Sequence, residues 1–432
     1  MADGRFAAQV AALAGARVLA MGAGFVTVWV GARLLGPTSL GSAAVAQTVG
    51  LVAALVASGG LNIVTIYRLG ALPGSRAAVL GLIRPWLWIS AGLAAALTVV
   101  IALTIGPALG LAGSEALWTT AALLSAAVIA HEFWGSVLLG FGNSRAYTQA
   151  EVVRAVGTAL ASSLIIATAA RNEVGFLLGA LVASIAAASF AWARARSSLP
   201  RSERPSGPLV RDSVAMGIRG QVGNVLQFLN LRLDLLLLPA LLDLTAAGLY
   251  AVAVRVSEVV AQMASASGSL IFPETAAARD GDAAARLTEV TTRRSLLFVA
   301  LGAIIISALA EPILTVFGTA FTDAATTLRI LMVAMLPLTV TRVLAGDLKG
   351  RGRPGVVSLV MGISVVATIG LDLVLIPIMG ISGAAVASLL AYAVSAAGLA
   401  VAFTRVTHHS PLSLLPQWND VVASARWIRG GR

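Results

Sequence analysis

Long apolar runs follow one another from one end of the chain to the other, separated by short polar turns. Many exceed 18 residues, the length at which a continuous apolar run reads as a membrane-crossing helix. They show no two-residue alternation of the kind a barrel strand needs, so their backbone polar groups are expected to be satisfied within helices. The pattern predicts spans near residues 8–33, 39–66, 80–105, 115–140, 148–170 and 174–193. A second set is expected near 213–239, 246–272, 296–318, 325–345, 356–378 and 383–404. Every polar segment is too short for a soluble domain. The expected class is an all-α polytopic membrane protein with about twelve transmembrane helices, and the first run is too long for a signal-peptide core.

Composition agrees: 58% of the 432 residues are hydrophobic and 11% charged, roughly half the charged share of soluble domains. The net charge of +11 could suggest nucleic acid, but the placement of the basic residues argues against such a partner. Arg68, Arg76 and Arg84, then Arg145, then Arg194 to Arg211, then Arg279 to Arg294, then Lys349 to Arg353, and finally Arg405 to Arg432 fall in alternate turns. The other side has Arg33 and Arg171. With these basic turns cytoplasmic, both termini are expected in the cytoplasm of a bacterial plasma (inner) membrane. The lone lysine, Lys349, precedes Gly350 rather than Ser or Thr, so there is no P-loop. Cysteine is absent, which removes disulfides, iron–sulfur sites and thiol nucleophiles.

The basic, Pro-rich segment 194–212 divides the chain almost in half. The expected organisation is a six-helix lobe over 1–193, a cytoplasmic linker, a second six-helix lobe over 213–404 and a basic cytoplasmic tail over 405–432. Leu34–Ala46 aligns without gaps with Leu241–Ala253, matching Thr38 with Thr245 and Gly41 with Gly248. Two halves of like orientation form a parallel repeat, a common transporter plan.

Ionisable groups inside spans are costly and usually face a cavity or a partner. The seventh span carries Arg219, Gln221, Asn224, Gln227, Asn230, Arg232 and Asp234. The eighth adds Arg255, Glu258, Gln262, Ser265 and Ser269 at helical spacing, and Arg17 falls opposite Asn224 under the repeat offset. One reading is a wet cationic cavity in which Arg17, Arg219, Arg255 and Arg232, with Asn224 and Gln227, hold an anionic ligand, because the guanidinium fork suits phosphate. The other is internal pairing, of Arg255 with Glu258 and of Arg232 with Asp234. Glu258, Asp234, Asp372 and Glu132 are candidates for ion coupling. For Asp372 a structural hydrogen bond is an equal alternative, and for His131 and Glu132 a single polar contact within the bundle. Glu151 and Arg154 are expected to pair. Arg342 and Asp347 read as interface anchors, His408 and His409 have nothing nearby in sequence to complete a metal site, and 417–432 is expected on the membrane surface. No catalytic constellation, metal site or cofactor motif is present. The short outer loops argue against lipid-linked sugar polymerases and ligases.

Three segments carry a family resemblance. Ala32-Arg-Leu-Leu-Gly-Pro-Thr-Ser-Leu-Gly41, then Asn224 to Asp234 with Ala247-Gly-Leu-Tyr-Ala-Val-Ala253, and Pro377-Ile-Met-Gly-Ile-Ser-Gly-Ala-Ala-Val-Ala387 resemble bacterial polysaccharide-biosynthesis flippases of the Wzx type. These belong to the multidrug/oligosaccharidyl-lipid/polysaccharide (MOP) exporter superfamily, which includes the MATE transporters. The resemblance implies two six-helix lobes, a central cationic cavity, and movement of undecaprenyl-pyrophosphate-linked repeat units of cell-surface polysaccharides such as O-antigen to the outer leaflet. Its implied partners are membrane lipid, the lipid-linked glycan, and a polymerase and glycosyltransferases of the same pathway. Two rivals stand beside it: a cation-coupled multidrug exporter and a non-transporting membrane assembly protein.

Overall fold

A computed structural model of the chain describes the backbone of residues 2–111, 114–278 and 280–417. It describes the side chains of those residues except 2–14, 17, 263, 264, 266, 269, 270, 273 and 277. The described residues form helices joined by short turns. They run as α1 (Ala2–Ser58), α2 (Leu61–Ala71), α3 (Arg76–Thr104), α4 (Glu115–Gly140), α5 (Ser144–Thr168), α6 (Glu173–Ala195) and α7 (Gly207–Leu241). Then come α8 (Leu244–Ala277), α9 (Gly281–Ala308), α10 (Ala310–Phe317), α11 (Ala325–Gly350), α12 (Pro354–Met379) and α13 (Ile381–Thr407).

Eleven of these helices are long and apolar enough to cross a membrane. The first runs 41 residues from Val18 to Ser58, about 60 Å, or twice the hydrocarbon thickness. Gly36 breaks it, with φ 76° and ψ 178°, and Pro37 follows without an N–H to donate. Each side of the break is long enough for one crossing, which matches the expectation of about twelve spans to the eleven helices found among the described residues. Two expected spans are shorter than their apolar runs. The run over 39–66 turns at Gly59 and Gly60, both with positive φ, and continues as α2. The run over 296–318 ends at Leu309 and restarts as α10.

The chain divides into two compact units. One comprises residues 1–228 and 243–248, the other 229–242 and 249–432. Within the first, the turn between α7 and α8 packs on the Gly36–Pro37 break of α1. Thr38 Oγ1 and Thr245 Oγ1 lie 2.8 Å apart. A Cβ on Gly41 would sit 1.9 Å from Leu244 O, and one on Gly248 would sit 1.9 Å from Pro37 O. Under the repeat alignment Pro37 matches Leu244 and Gly41 matches Gly248, so the contact is reciprocal, and each glycine admits the other segment's carbonyl. Small residues serve this role between membrane helices, where backbone approach replaces hydrophobic drive. The residues between 195 and 207 also pack in this unit: Glu203 N–H donates to Ala77 O at 3.0 Å, at the start of α3.

Candidate functional site

The α7 stripe does different things along its length. In the first unit Gln221 is buried, and its Nε2 donates to Leu55 O at 2.6 Å and Ser58 Oγ at 2.9 Å, tying α7 to the end of α1. Asn224 Nδ2 donates to Gln221 Oε1 at 3.2 Å. Arg219 is exposed and Gln227 half-buried. Gln221 thus serves as a brace, while Arg219 stands exposed on the same helix. The side chain of Arg17 lies outside the described residues.

In the second unit Asn230 and Asp234, one turn apart, share a face and are both buried. Asn230 Oδ1 accepts from Ser364 Oγ at 3.0 Å and Thr368 Oγ1 at 3.1 Å, both on α12. Asp234 accepts from its neighbour's backbone, Leu235 N–H, at 2.8 Å, from Ser388 Oγ on α13 at 2.9 Å, and from Tyr250 OH on α8. Arg232, two residues from each, projects about 200° away on the helix. The expected Arg232–Asp234 pair is therefore not formed, and Arg232 bonds Glu258 on α8 instead. Arg255 Nη1 reaches the other oxygen of Glu258 at 2.8 Å, as its i,i+3 spacing predicts. Glu258 thus carries two guanidinium groups, and all three side chains are partly exposed. The triad keeps a net positive charge and spare N–H donors, a suitable surface for a phosphate oxygen.

Asp372, on α12, is fully buried, and neither carboxylate oxygen has a hydrogen-bond partner. It lies within electrostatic reach of Asp234. The alternative of a structural hydrogen bond for Asp372 is therefore set aside. Two buried carboxylates, one fully bonded and one bare, form a place that a proton or small cation would stabilise, because a lone buried charge is costly.

The remaining predicted residues sit elsewhere. His131 is buried, with Nε2 2.9 Å from Glu151 Oε1, and Arg154 Nη2 reaches the other Glu151 oxygen at 3.1 Å. The expected Glu151–Arg154 pair forms, and His131 is a third member that its distance in sequence concealed. Glu132 is exposed and makes no hydrogen bond to this cluster, though it lies within electrostatic reach of His131, Arg154 and Glu151. Asp347 is no interface anchor. It is fully buried and takes Thr275 Oγ1 at 3.3 Å, Thr288 Oγ1 at 2.8 Å and Arg351 Nε at 2.8 Å. His409 likewise has partners, Glu289 and Asp282 on α9. Of the expected surface-lying tail, 418–432 is outside the described residues. An apolar cavity of about 390 Å³ lies in the first unit, lined by Gly59, Leu82, Pro85, Trp86, Ile89, Val214 and Ile218.

The family model for polysaccharide biosynthesis proteins matches residues 30–326, more than half of the chain. The chain belongs to that family. No curated protein sequence matches this polysaccharide biosynthesis protein, but solved structures share its fold. An inward-facing multidrug resistance MATE family transporter of the MOP superfamily superposes with a TM-score of 0.70 at 15% identity, over 89% of this chain and 95% of its own. The lipid II flippase MurJ, in an inward closed conformation, gives 0.69 at 12% identity, over 90% of this chain and 87% of its own. An outward-facing MATE family transporter gives 0.59 at 18% identity, over 92% and 97%. At these identities the likeness is one of fold. The polysaccharide biosynthesis protein is a multi-pass membrane protein, in bacteria one of the inner membrane, with a fold like that of MATE transporters and MurJ.

Proposed function

We propose that this protein is a flippase that moves undecaprenyl-pyrophosphate-linked oligosaccharide repeat units from the cytoplasmic to the outer leaflet by alternating access between two six-helix lobes. The observation that carries the reading is the match to the polysaccharide biosynthesis family on a chain with the MOP fold. Further support comes from the chemistry of α7 and α8. Arg232 and Arg255 crowd one carboxylate, and Arg219 is exposed on the same helix as Arg232. In this mechanism these arginines, with Arg17, Asn224 and Gln227, hold the pyrophosphate. The sugars cross through polar space and the polyprenyl tail stays in lipid. Glycosyltransferases and a polymerase of the same pathway would supply the substrate and consume the product. The linker over 194–212 and both termini are cytoplasmic in this reading, in line with the one-sided arginines. Asp372 and Asp234 supply the coupling, with a proton or small cation binding at the bare carboxylate, and Glu132 and Glu258 are the secondary acidic candidates.

Flipping of a pyrophosphate-linked oligosaccharide lipid in reconstituted vesicles tests the reading. Arg17→Ala, Arg219→Ala and Arg255→Ala should each weaken substrate affinity about tenfold to a hundredfold, the size of one lost charge-assisted contact. The Lys versions should retain part of it, since they keep the charge and lose the fork. If Arg255 only neutralises Glu258, Arg232 still pairs with that carboxylate in Arg255→Ala, and the single change leaves transport intact. Normal flipping by all three single alanine variants removes the cationic mechanism.

A further inference from the structure

The segment that follows α13 turns back onto α9. His408, at φ 60°, reverses the chain, and a short 3₁₀ turn over Pro411–Leu414 buries Leu414. Beneath this strap α9 presents Asp282, Arg286, Glu289 and Arg293, spaced by three or four residues along one face. His409 Nδ1 lies 2.7 Å from Glu289 Oε1, and its Nε2 lies 3.7 Å from Asp282 Oδ1. Ser413 Oγ donates to Glu289 Oε1 at 2.6 Å, and Arg293 Nη1 donates to Ser413 O at 3.0 Å.

The two ring nitrogens of His409 therefore face two different carboxylates. A neutral imidazole carries one N–H; if Nδ1 donates to Glu289, the Nε2 lone pair faces Asp282 and repels it. An imidazolium donates Nδ1–H to Glu289 and turns its positive Nε2–H towards the Asp282 carboxylate, so both acids are attracted. We infer that the strap over residues 408–415 is a pH-sensitive latch, closed on α9 when His409 is protonated and loosened when it is neutral. The other charged groups around it are few. On α9 these are Arg286 and Arg293, the latter engaged with Ser413. On α13 and in the strap they are Arg405 and His408. From the end of α11 comes Arg351, held by Asp347 and Gly281 O. Asp280 caps α9 by accepting Asp282 N–H and Ala283 N–H, which holds its carboxyl below the usual range and keeps it charged at every pH of interest. Of the two histidines here, His409 is the one that sits between acids.

The absence of cysteine makes the latch measurable on the whole protein. A thiol at Leu414→Cys is buried when the strap is down, and one at Leu412→Cys is exposed in either state. The ratio of their maleimide labelling rates in vesicles cancels the ordinary pH dependence of a thiol. That ratio should rise about threefold or more between about pH 6 and about pH 8, the scale of a partly exposed ion pair. In His409→Gln it should be flat and high, and in Asp282→Asn, an exposed change that spares the fold, its pH dependence should shrink. A ratio that ignores pH in the unaltered protein, or that keeps its slope in His409→Gln, overturns the latch.

Discussion

Leu233-Asp-Leu-Leu-Leu-Leu-Pro239 on α7 and Leu371-Asp-Leu-Val-Leu-Ile-Pro377 on α12 are near copies, yet their aspartates live differently. Asp234 is buried with three donors from three places: its own backbone, Tyr250 and Ser388. Asp372 is as deeply buried with none. Near-identical local sequence, the same helical conformation and similar burial therefore produce one structural acid and one bare acid. The neighbours decide, because each oxygen needs a hydroxyl or N–H delivered by another helix. A fully bonded carboxylate anchors, whereas a bare one responds to whatever charge it meets.

Deleting the bonded acid is expected to do the most damage. Asp234→Ala leaves Tyr250 OH and Ser388 OH without their acceptor, each costing about 1–3 kcal/mol. Membrane yield and melting temperature in detergent should both collapse. If Asp234→Ala is as stable as the unaltered chain, the contrast between the two acids is void.

Gly41→Ala comes next, since its methyl would enter a backbone carbonyl at 1.9 Å. Gly248→Ala should cost about the same, because the contact is reciprocal, and overpacking of this kind costs about 1–3 kcal/mol. Unequal melting temperatures for the two variants would break the reciprocity. The pair thus provides a control in which a repeated sequence does receive an equivalent environment.

Asp372→Asn should be at least as stable as the unaltered protein, by about 1 kcal/mol, because a bare buried carboxylate is replaced by a neutral group of the same shape. Transport should at the same time lose its dependence on the ion gradient. Stability that falls in Asp372→Asn, or gradient dependence that survives, separates Asp372 from the coupling role.

Asn230→Ala should have the smallest effect, about 1 kcal/mol. Ser364 Oγ still reaches Ala391 O at 2.8 Å, and Thr368 Oγ1 still reaches Ser364 O at 2.9 Å. The loss of one acceptor is cushioned there as it is not at Asp234. A melting curve that places Asn230→Ala beside Asp234→Ala would show that donor redundancy does not set the cost.

Much of this protein was legible in its sequence. The apolar runs predicted twelve helical crossings, because backbone groups in hydrocarbon must bond within their own segment, and run length then counts the spans. The i,i+3 spacing predicted Arg255–Glu258 and Glu151–Arg154, because such pairs meet on any helix. The Thr38/Thr245 and Gly41/Gly248 matches marked a repeat, and the structure alone showed that its two copies touch. Everything that joins distant helices lay beyond this reading. Tertiary structure alone moved Arg232 to Glu258, gave Asp234 to Tyr250 and Ser388, buried Asp347 among threonines, linked His131 to Glu151, and seated His409 between Glu289 and Asp282. A periodic pattern states which face a residue occupies on its own helix. It carries no information on the rotation and depth of the helix opposite, and these decide whether a buried acid meets a donor or stands bare.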